Sequence, residues 1–265
     1  MYKFGILGVG KMGSSILNGI LEANIFDKKD ILLNLYSDEE VSYYGDKLGF
    51  NYVRDSKVLL ESCELTLLSI KPQVFPEVEE IAKKIDFKGR GIVSIAAGIT
   101  LDYLHSLFNN ADIIRIMPNT PALIKKAVAT ITSKNTKSKY YDVAFKIFNS
   151  IGKCYEIDES LMDATIPLNG SMPAYLELFA KAFIDKAVKD GVDYETAKKL
   201  TCESIISSAC LILNSDEPIE TLIKNVCSKG GTTLAGLDRL YDYKFEEAIY
   251  ECSEACKNRS KELKR

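Results

Sequence analysis

The feature that most limits how this chain folds is its first two dozen residues. Residues 2–7, Tyr-Lys-Phe-Gly-Ile-Leu, read as a short buried strand, and Gly8-Val9-Gly10-Lys11-Met12-Gly13 follows at once. From Ser14 to Ala23 the apolar residues fall at 16, 17, 20 and 21, which is helical spacing. Strand, glycine loop and helix in that order begin a βαβ series, the context in which a G-x-G-x-x-G run carries meaning. Glycines there permit a tight turn and let a pyrophosphate approach the helix start, where backbone N–H groups lack partners.

The same alternation continues. Strands are expected at 31–36, 65–70, 91–95 and 113–117, with helices at 39–48, 76–85 and 101–108 between them. Segments 128–132 and 153–157 read as closing strands around a helix at 138–150. Strands that are apolar on both faces indicate a parallel sheet covered on both sides. Near residue 158 the period changes. From Leu161 onward helical spacing runs through 160–188, 193–213, 218–227 and 244–263, with no convincing strand. Asp193 is a plausible N-cap and Gly191 a plausible stop. The domain boundary is therefore expected at 158/159: residues 1–158 for the sheet, residues 159–265 for a helical domain. Helices this few and this apolar form a thin domain, so a second subunit is expected to cover them.

Composition excludes several classes. Of 265 residues, 46% are apolar, and 34 basic against 37 acidic side chains give a net charge of −3. That balance offers no broad attraction to nucleic acid or to an anionic membrane. Apolar stretches fall far short of a membrane span, and residues 4–9 are too few for a signal-peptide core. A soluble, cytoplasmic protein is expected. Seven cysteines form no C-x-x-C pair and read as free thiols in a reducing compartment. One histidine, His105, leaves little basis for a histidine-based metal site, and none is expected.

Several runs carry polar groups to strand ends. Ser69-Ile70-Lys71-Pro72, Ser94-Ile95-Ala96-Ala97-Gly98 and Arg115-Ile116-Met117-Pro118-Asn119-Thr120-Pro121 each follow a strand, at the rim where open α/β sheets bind ligands. Tight loop packing explains the second equally well. After the 31–36 strand, Asn34-Leu35-Tyr36-Ser37 offers no acid until Asp38 for a ribose 2′-hydroxyl. No Arg or Lys lies between 31 and 46 for a 2′-phosphate. Ser228-Lys229-Gly230-Gly231-Thr232-Thr233 opens a further short helix, a fit for a carboxylate or phosphate, though also for a capped helix after a glycine turn.

Taken together, these runs resemble the pyrroline-5-carboxylate reductase family over essentially the full chain. The Gly8–Gly13 loop, Lys71-Pro72, Ser94–Gly98, Arg115–Pro121, Gly170-Ser171-Met172-Pro173-Ala174-Tyr175 and Ser228–Thr233 occur in that family's order. The resemblance implies an α/β chain with an N-terminal Rossmann-type doubly wound sheet and a C-terminal all-helical dimerisation domain, as a homodimer or a decamer. It implies NAD(P)H-dependent reduction of 1-pyrroline-5-carboxylate to L-proline, the last step of proline biosynthesis. NADP or NAD is the cofactor, with NADPH slightly favoured.

Residues matching the family's cofactor contacts are Leu7, Gly8, Val9, Gly10, Lys11, Met12, Gly13, Asn34, Ser56, Ser69, Ile70, Lys71, Pro72, Ile95, Ala96, Ala97 and Asn119. Those matching substrate contacts are Glu159, Ser171, Asn225, Gly230, Gly231, Thr232 and Thr233, with the Thr233 hydroxyl as the expected catalytic group beside the ring nitrogen. Met172, Lys229 and Asn34-Leu35-Tyr36 depart from the family pattern and bear on substrate and cofactor choice. A paralogue acting on another cyclic imino acid, or a dinucleotide-binding regulator without turnover, are the competing readings.

Overall fold

A computed structural model describes residues 1–264. Eight strands form one sheet: β1 (Tyr2–Leu7), β2 (Ile31–Asn34), β3 (Asn51–Val53), β4 (Cys63–Leu68), β5 (Gly91–Ser94), β6 (Asp112–Met117), β7 (Ala127–Thr132) and β8 (Gly152–Glu156). Their spatial order is β3-β2-β1-β4-β5-β6-β7-β8. Every neighbouring pair is parallel except β6–β7, which is antiparallel. The chain winds outward from β1 in both directions, so the order reverses between β1 and β4. That reversal leaves a crevice at the strands' carboxyl ends.

The helices of this part are α1 (Lys11–Glu22), α2 (Asp38–Glu40), α3 (Ser56–Ser62), α4 (Phe75–Ala82), α5 (Leu101–Leu107), α6 (Lys139–Ser150) and α7 (Met162–Thr165). Helix α2 continues without a break as a π-helix over Val41–Lys47. Successive strand residues point to opposite faces. Ile6 and Leu33 therefore join Ile16, Leu17 and Ile20 of α1 and Ile147 and Phe148 of α6 in one apolar core. Leu7 and Leu32 join Leu59, Phe75, Val78 and Leu104 from α3, α4 and α5 in the other. Fully burying an aliphatic or aromatic side chain contributes about 1.5–3 kcal/mol each, so these two layers hold the sheet between its helices.

Three details depart from the sequence expectations. Strand β3 and helix α3 were not expected: three residues of strand between a polar turn and an Asp55-capped helix give too short a periodic signal. The sheet is not parallel throughout, because β6 and β7 are joined by a short hairpin-like connection through residues 118–126. The helical run expected over 160–188 is interrupted at 166–171, where the chain turns before restarting at Met172.

Two compact units are present: residues 1–171 with the terminal segment from Cys256, and residues 172–255. The second unit is all helical. Its helices are α8 (Met172–Lys189), α9 (Tyr194–Asn214), α10 (Ile219–Val226), α11 (Thr232–Asp242) and the first part of α12 (Phe245–Glu262). Asp193 caps α9 as expected, accepting from Thr196 N at 3.0 Å. Phe179 sits against Phe183 and Phe245, with centroids 4.9 and 6.5 Å away. Little else is enclosed: α10 and α11 bury no residue. Leu178, Leu200, Leu213 and Val226 are all more than half exposed.

The terminal segment returns to the first unit. Ser260 Oγ donates to Asp163 at 2.9 Å, and Lys264 Nζ pairs with the same carboxylate at 2.6 Å. Ser171 Oγ lies 3.3 Å from Cys256 Sγ.

Candidate functional site

The loop between β1 and α1 is shaped for an anion. Gly8 has φ +91°, a conformation that side chains resist, and a Cβ there would lie 2.7 Å from Ser69 O. A Cβ on Gly13 would lie 2.4 Å from Gly8 O, so this glycine lets α1 close onto the loop. Gly10 is different. A Cβ there would meet nothing within 4 Å. Its smallness is not needed by the fold, and the space beside it opens at the head of a twelve-residue helix. Gly10 is also the N-cap of α1, no side chain caps the helix, and its first turn holds no acid. The free N–H groups and the positive end of the helix dipole therefore face open space. The pyrophosphate of a dinucleotide fits this cradle.

The other residues expected to meet the cofactor follow strands adjacent in the sheet. Ser69 to Pro72 follow β4, and Ser69 N donates to Leu7 O at 2.9 Å, fastening this segment to the glycine loop. Ile95, Ala96 and Ala97 follow β5; Ala96 N donates to Ser94 Oγ at 3.3 Å. Topology alone thus gathers Leu7 to Gly13, Ser69 to Pro72 and Ile95 to Ala97 at one edge.

Asn119 and Asn34 lie under that edge rather than on it. Asn119 is buried; its Nδ2 donates to Asn169 O at 3.1 Å and its Oδ1 accepts from Val128 N at 2.8 Å. Asn169 answers by donating to Met117 O at 2.9 Å. These bonds pin the loop after β6, and Asn169 was not singled out from sequence because an Asn in an irregular turn carries no pattern. Asn34 is fully enclosed, and its Nδ2 donates to Val53 O and Arg54 O at 3.2 and 3.1 Å. The side chains that reach the rim beside it are Tyr36, Ser56 and Arg54. Tyr36 Oη and Ser56 Oγ are 2.9 Å apart, and Arg54 Nη1 donates to Tyr36 O at 2.9 Å. Arg54 brings a guanidinium to this rim, where residues 31–46 hold none. It directly follows β3, which the sequence pattern did not reveal.

Glu159 also has partners of its own. Its Oε1 accepts from Arg115 Nη1 at 2.9 Å and from Leu101 N, at the start of α5, at 2.7 Å. Ser171 closes the turn before α8, its N donating to Ile166 O at 2.9 Å.

In the second unit, Asn225 lies in the last turn of α10 and Ser228–Gly231 form a turn into α11. Gly230 has φ +71°, and Gly231 N donates to Ser228 O at 2.9 Å. Gly231 is the N-cap of α11; Thr232 and Thr233 are its first two helical residues, and no side chain caps it. The first turn again holds no acid. Asn225, Gly230, Thr232 and Thr233 are all exposed. The start of α11 is thus a second uncapped helix head, with two hydroxyls and a glycine turn around it.

Comparison with known proteins bears on both parts. A family model for pyrroline-5-carboxylate reductase dimerisation matches residues 159–263, and one for coenzyme F420-dependent NADP oxidoreductases matches residues 3–98. Pyrroline-5-carboxylate reductase 2 of Bacillus subtilis is 33% identical, over 100% of this chain and 96% of the relative. The chain belongs to the pyrroline-5-carboxylate reductase family. The Arabidopsis thaliana pyrroline-5-carboxylate reductase is 31% identical over 99% of this chain and 95% of its own. Among solved structures, Plasmodium falciparum pyrroline carboxylate reductase with NADP bound superposes with a TM-score of 0.89 at 30% identity, covering 100% of this chain and 98% of that one. The helices α1 and α11 both start without a side-chain cap and without an acid in the first turn.

Proposed function

We propose that this protein reduces 1-pyrroline-5-carboxylate to L-proline with NAD(P)H, the closing step of proline biosynthesis. The observation that carries the reading is the pair of acid-free, uncapped helix heads at Gly10 and Gly231, one suited to a pyrophosphate and one to a small carboxylate. Full-length similarity to curated reductases of that name supports it.

When bound in this loop, NAD(P)H would supply the hydride that an imine carbon needs. The chain's residues do the rest. Gly8 and Gly13 shape the loop, and Gly10 leaves room for the pyrophosphate. Ser69 to Pro72 and Ile95 to Ala97 line the rim beyond it. The N–H groups at Gly230 to Thr233, with Asn225, hold the substrate carboxylate. Thr233 Oγ1 bonds to the ring nitrogen, which arrives already protonated, so no strong acid is demanded of the protein. Orientation and a field tolerant of the cation are what remain to be supplied. Glu159 and Ser171 complete the proposed substrate set.

Residues 1–158 are assigned to the dinucleotide and residues 159–265 to substrate binding and dimerisation. The exposed apolar side chains of α8 to α11 are proposed to pack against a second copy, with a decamer as the larger assembly. A cytoplasmic location is proposed; among the described residues no helix is long and apolar enough to cross a membrane.

The test is an absorbance assay of NAD(P)H with pyrroline-5-carboxylate and with its six-membered analogue. Turnover with the first and little with the second supports the reading. The reverse would make the chain a reductase of another cyclic imino acid, and no turnover with either would make it a regulator.

A further inference from the structure

The sheet places two helix heads side by side at the dinucleotide edge, and they are opposites. The head of α1 is uncapped and free of acids. The head of α2 is closed by the chain itself. Ser37 Oγ accepts from Glu40 N at 3.1 Å, and Glu40 Oε2 accepts from Tyr36 N at 2.8 Å and Ser37 N at 3.3 Å. All three residues of α2, Asp38, Glu39 and Glu40, are acidic. Arg54, the guanidinium at this rim, donates to Tyr36 O and pairs with Asp38.

This rim follows β2, where a Rossmann-type sheet meets the ribose that bears a 2′-hydroxyl in NADH and a 2′-phosphate in NADPH. A 2′-phosphate needs donors and positive charge. Here the two backbone donors after Leu35 already serve a carboxylate, and the guanidinium already faces one. The two obstacles differ in strength. Asp38 and Arg54 are both largely exposed, and an exposed pair of this kind is weak, so a phosphate could displace Asp38 from Arg54. Glu40 is tied to two N–H groups of its own turn and cannot leave without opening the capping box. Its charge would face the phosphate at close range.

We propose that Glu40 is the specificity-determining residue for the cofactor in this chain: its carboxylate occupies the donors of Tyr36 and Ser37 and opposes a 2′-phosphate, while Arg54 opposes that exclusion. The inference rests on the dinucleotide reading of the Gly8–Gly13 loop. It concerns only the choice between the two forms.

The test is equilibrium binding to the full-length protein, by calorimetry, of NADH, NADPH, 5′-AMP and adenosine 2′,5′-bisphosphate. Glu40→Gln keeps the capping geometry and removes the charge. It should tighten NADPH relative to NADH by about tenfold at low salt, and adenosine 2′,5′-bisphosphate relative to 5′-AMP by a similar factor. The gain should shrink as salt is raised. Asp38→Asn, at an exposed position, should give a smaller gain in the same direction, and adding Arg54→Ala to Glu40→Gln should cancel most of it. Unchanged NADPH-to-NADH affinity ratios in both single variants would overturn the proposal while leaving the dinucleotide reading intact. Failure of the wild-type protein to bind any of the four would overturn both.

Discussion

The carboxylate of Glu159 is bound to the guanidinium of Arg115, Nη1 donating to Oε1 at 2.9 Å, and only 4% of the Arg115 side chain is exposed. The bond crosses from β6, an interior strand, to the turn that precedes α7. It gives Glu159 a structural task besides the substrate contact proposed for it.

Removing this acid should therefore be read on two scales. Glu159→Ala leaves a buried arginine and the Leu101 N–H without their acceptor. Breaking a buried pair from one side typically costs about 3–5 kcal/mol. Glu159 retains partial solvent access, so the lower end, about 3 kcal/mol, is expected here. Glu159→Gln keeps an acceptor and should cost less. If the carboxylate also meets the substrate, KM for pyrroline-5-carboxylate should rise in the Gln variant while its melting temperature stays close to wild type. A Gln variant with wild-type kinetics would leave Glu159 only its bond to Arg115.

Gly10→Val should abolish dinucleotide binding without unfolding the protein. The added atoms enter open space as far as the chain is concerned, but that space is the proposed place of the pyrophosphate. Calorimetric titration with NADH and NADPH, beside a thermal melt, decides it. Wild-type affinity in the variant would remove this loop from the site.

Thr233→Val separates a reacting hydroxyl from a helix cap. Gly231, not Thr233, is the N-cap of α11, and no side chain caps the helix. The substitution should then leave the melting temperature nearly unchanged. Loss of one hydrogen bond to the ring nitrogen should lower kcat roughly tenfold to a hundredfold, about 1–3 kcal/mol, with a smaller change in KM. An unaltered kcat would reassign the hydroxyl to orientation or to nothing.

The helices of the second unit leave so many large apolar side chains exposed that a lone chain should not persist. Light scattering at micromolar concentration should show a dimer or a larger assembly and no monomer. A monodisperse, active monomer would contradict the proposed packing of α8 to α11.

Acid should loosen the terminal segment through Asp163. Burial pushes this carboxyl up, but the bonds from Lys264 and Ser260 outweigh it and hold the group below the ordinary carboxylate range. A depressed folded value means that the stabilisation is complete above the unfolded value, about 3.9, and is lost as pH falls through the folded one. Asp163→Asn should melt below wild type near neutrality, and the gap should close below about pH 4. A gap that persists in acid would assign the effect to packing rather than to charge.

The βαβ series, the glycine loop, the change of period near 158 and the helix opening at Thr232 were all legible in the residues. Each is a local matter: hydrophobic spacing sets the period, and glycines and acids near a helix start act within one turn. Even the nearness of Leu7, Ser69 and Ile95 follows from a parallel sheet, because β1, β4 and β5 run the same way and end at one edge. What remained hidden is long-range or too short to repeat. Strand β3 spans only Asn51–Val53, so Arg54 could not be placed beside Tyr36 from spacing. The enclosure of Asn34 and Asn119, and the claim of Arg115 on Glu159, depend on which polar groups meet across the folded sheet. Sequence patterns report how a segment faces the core. Which donor finds which acceptor is decided only when segments dozens of residues apart are packed together and every enclosed polar group must find a partner.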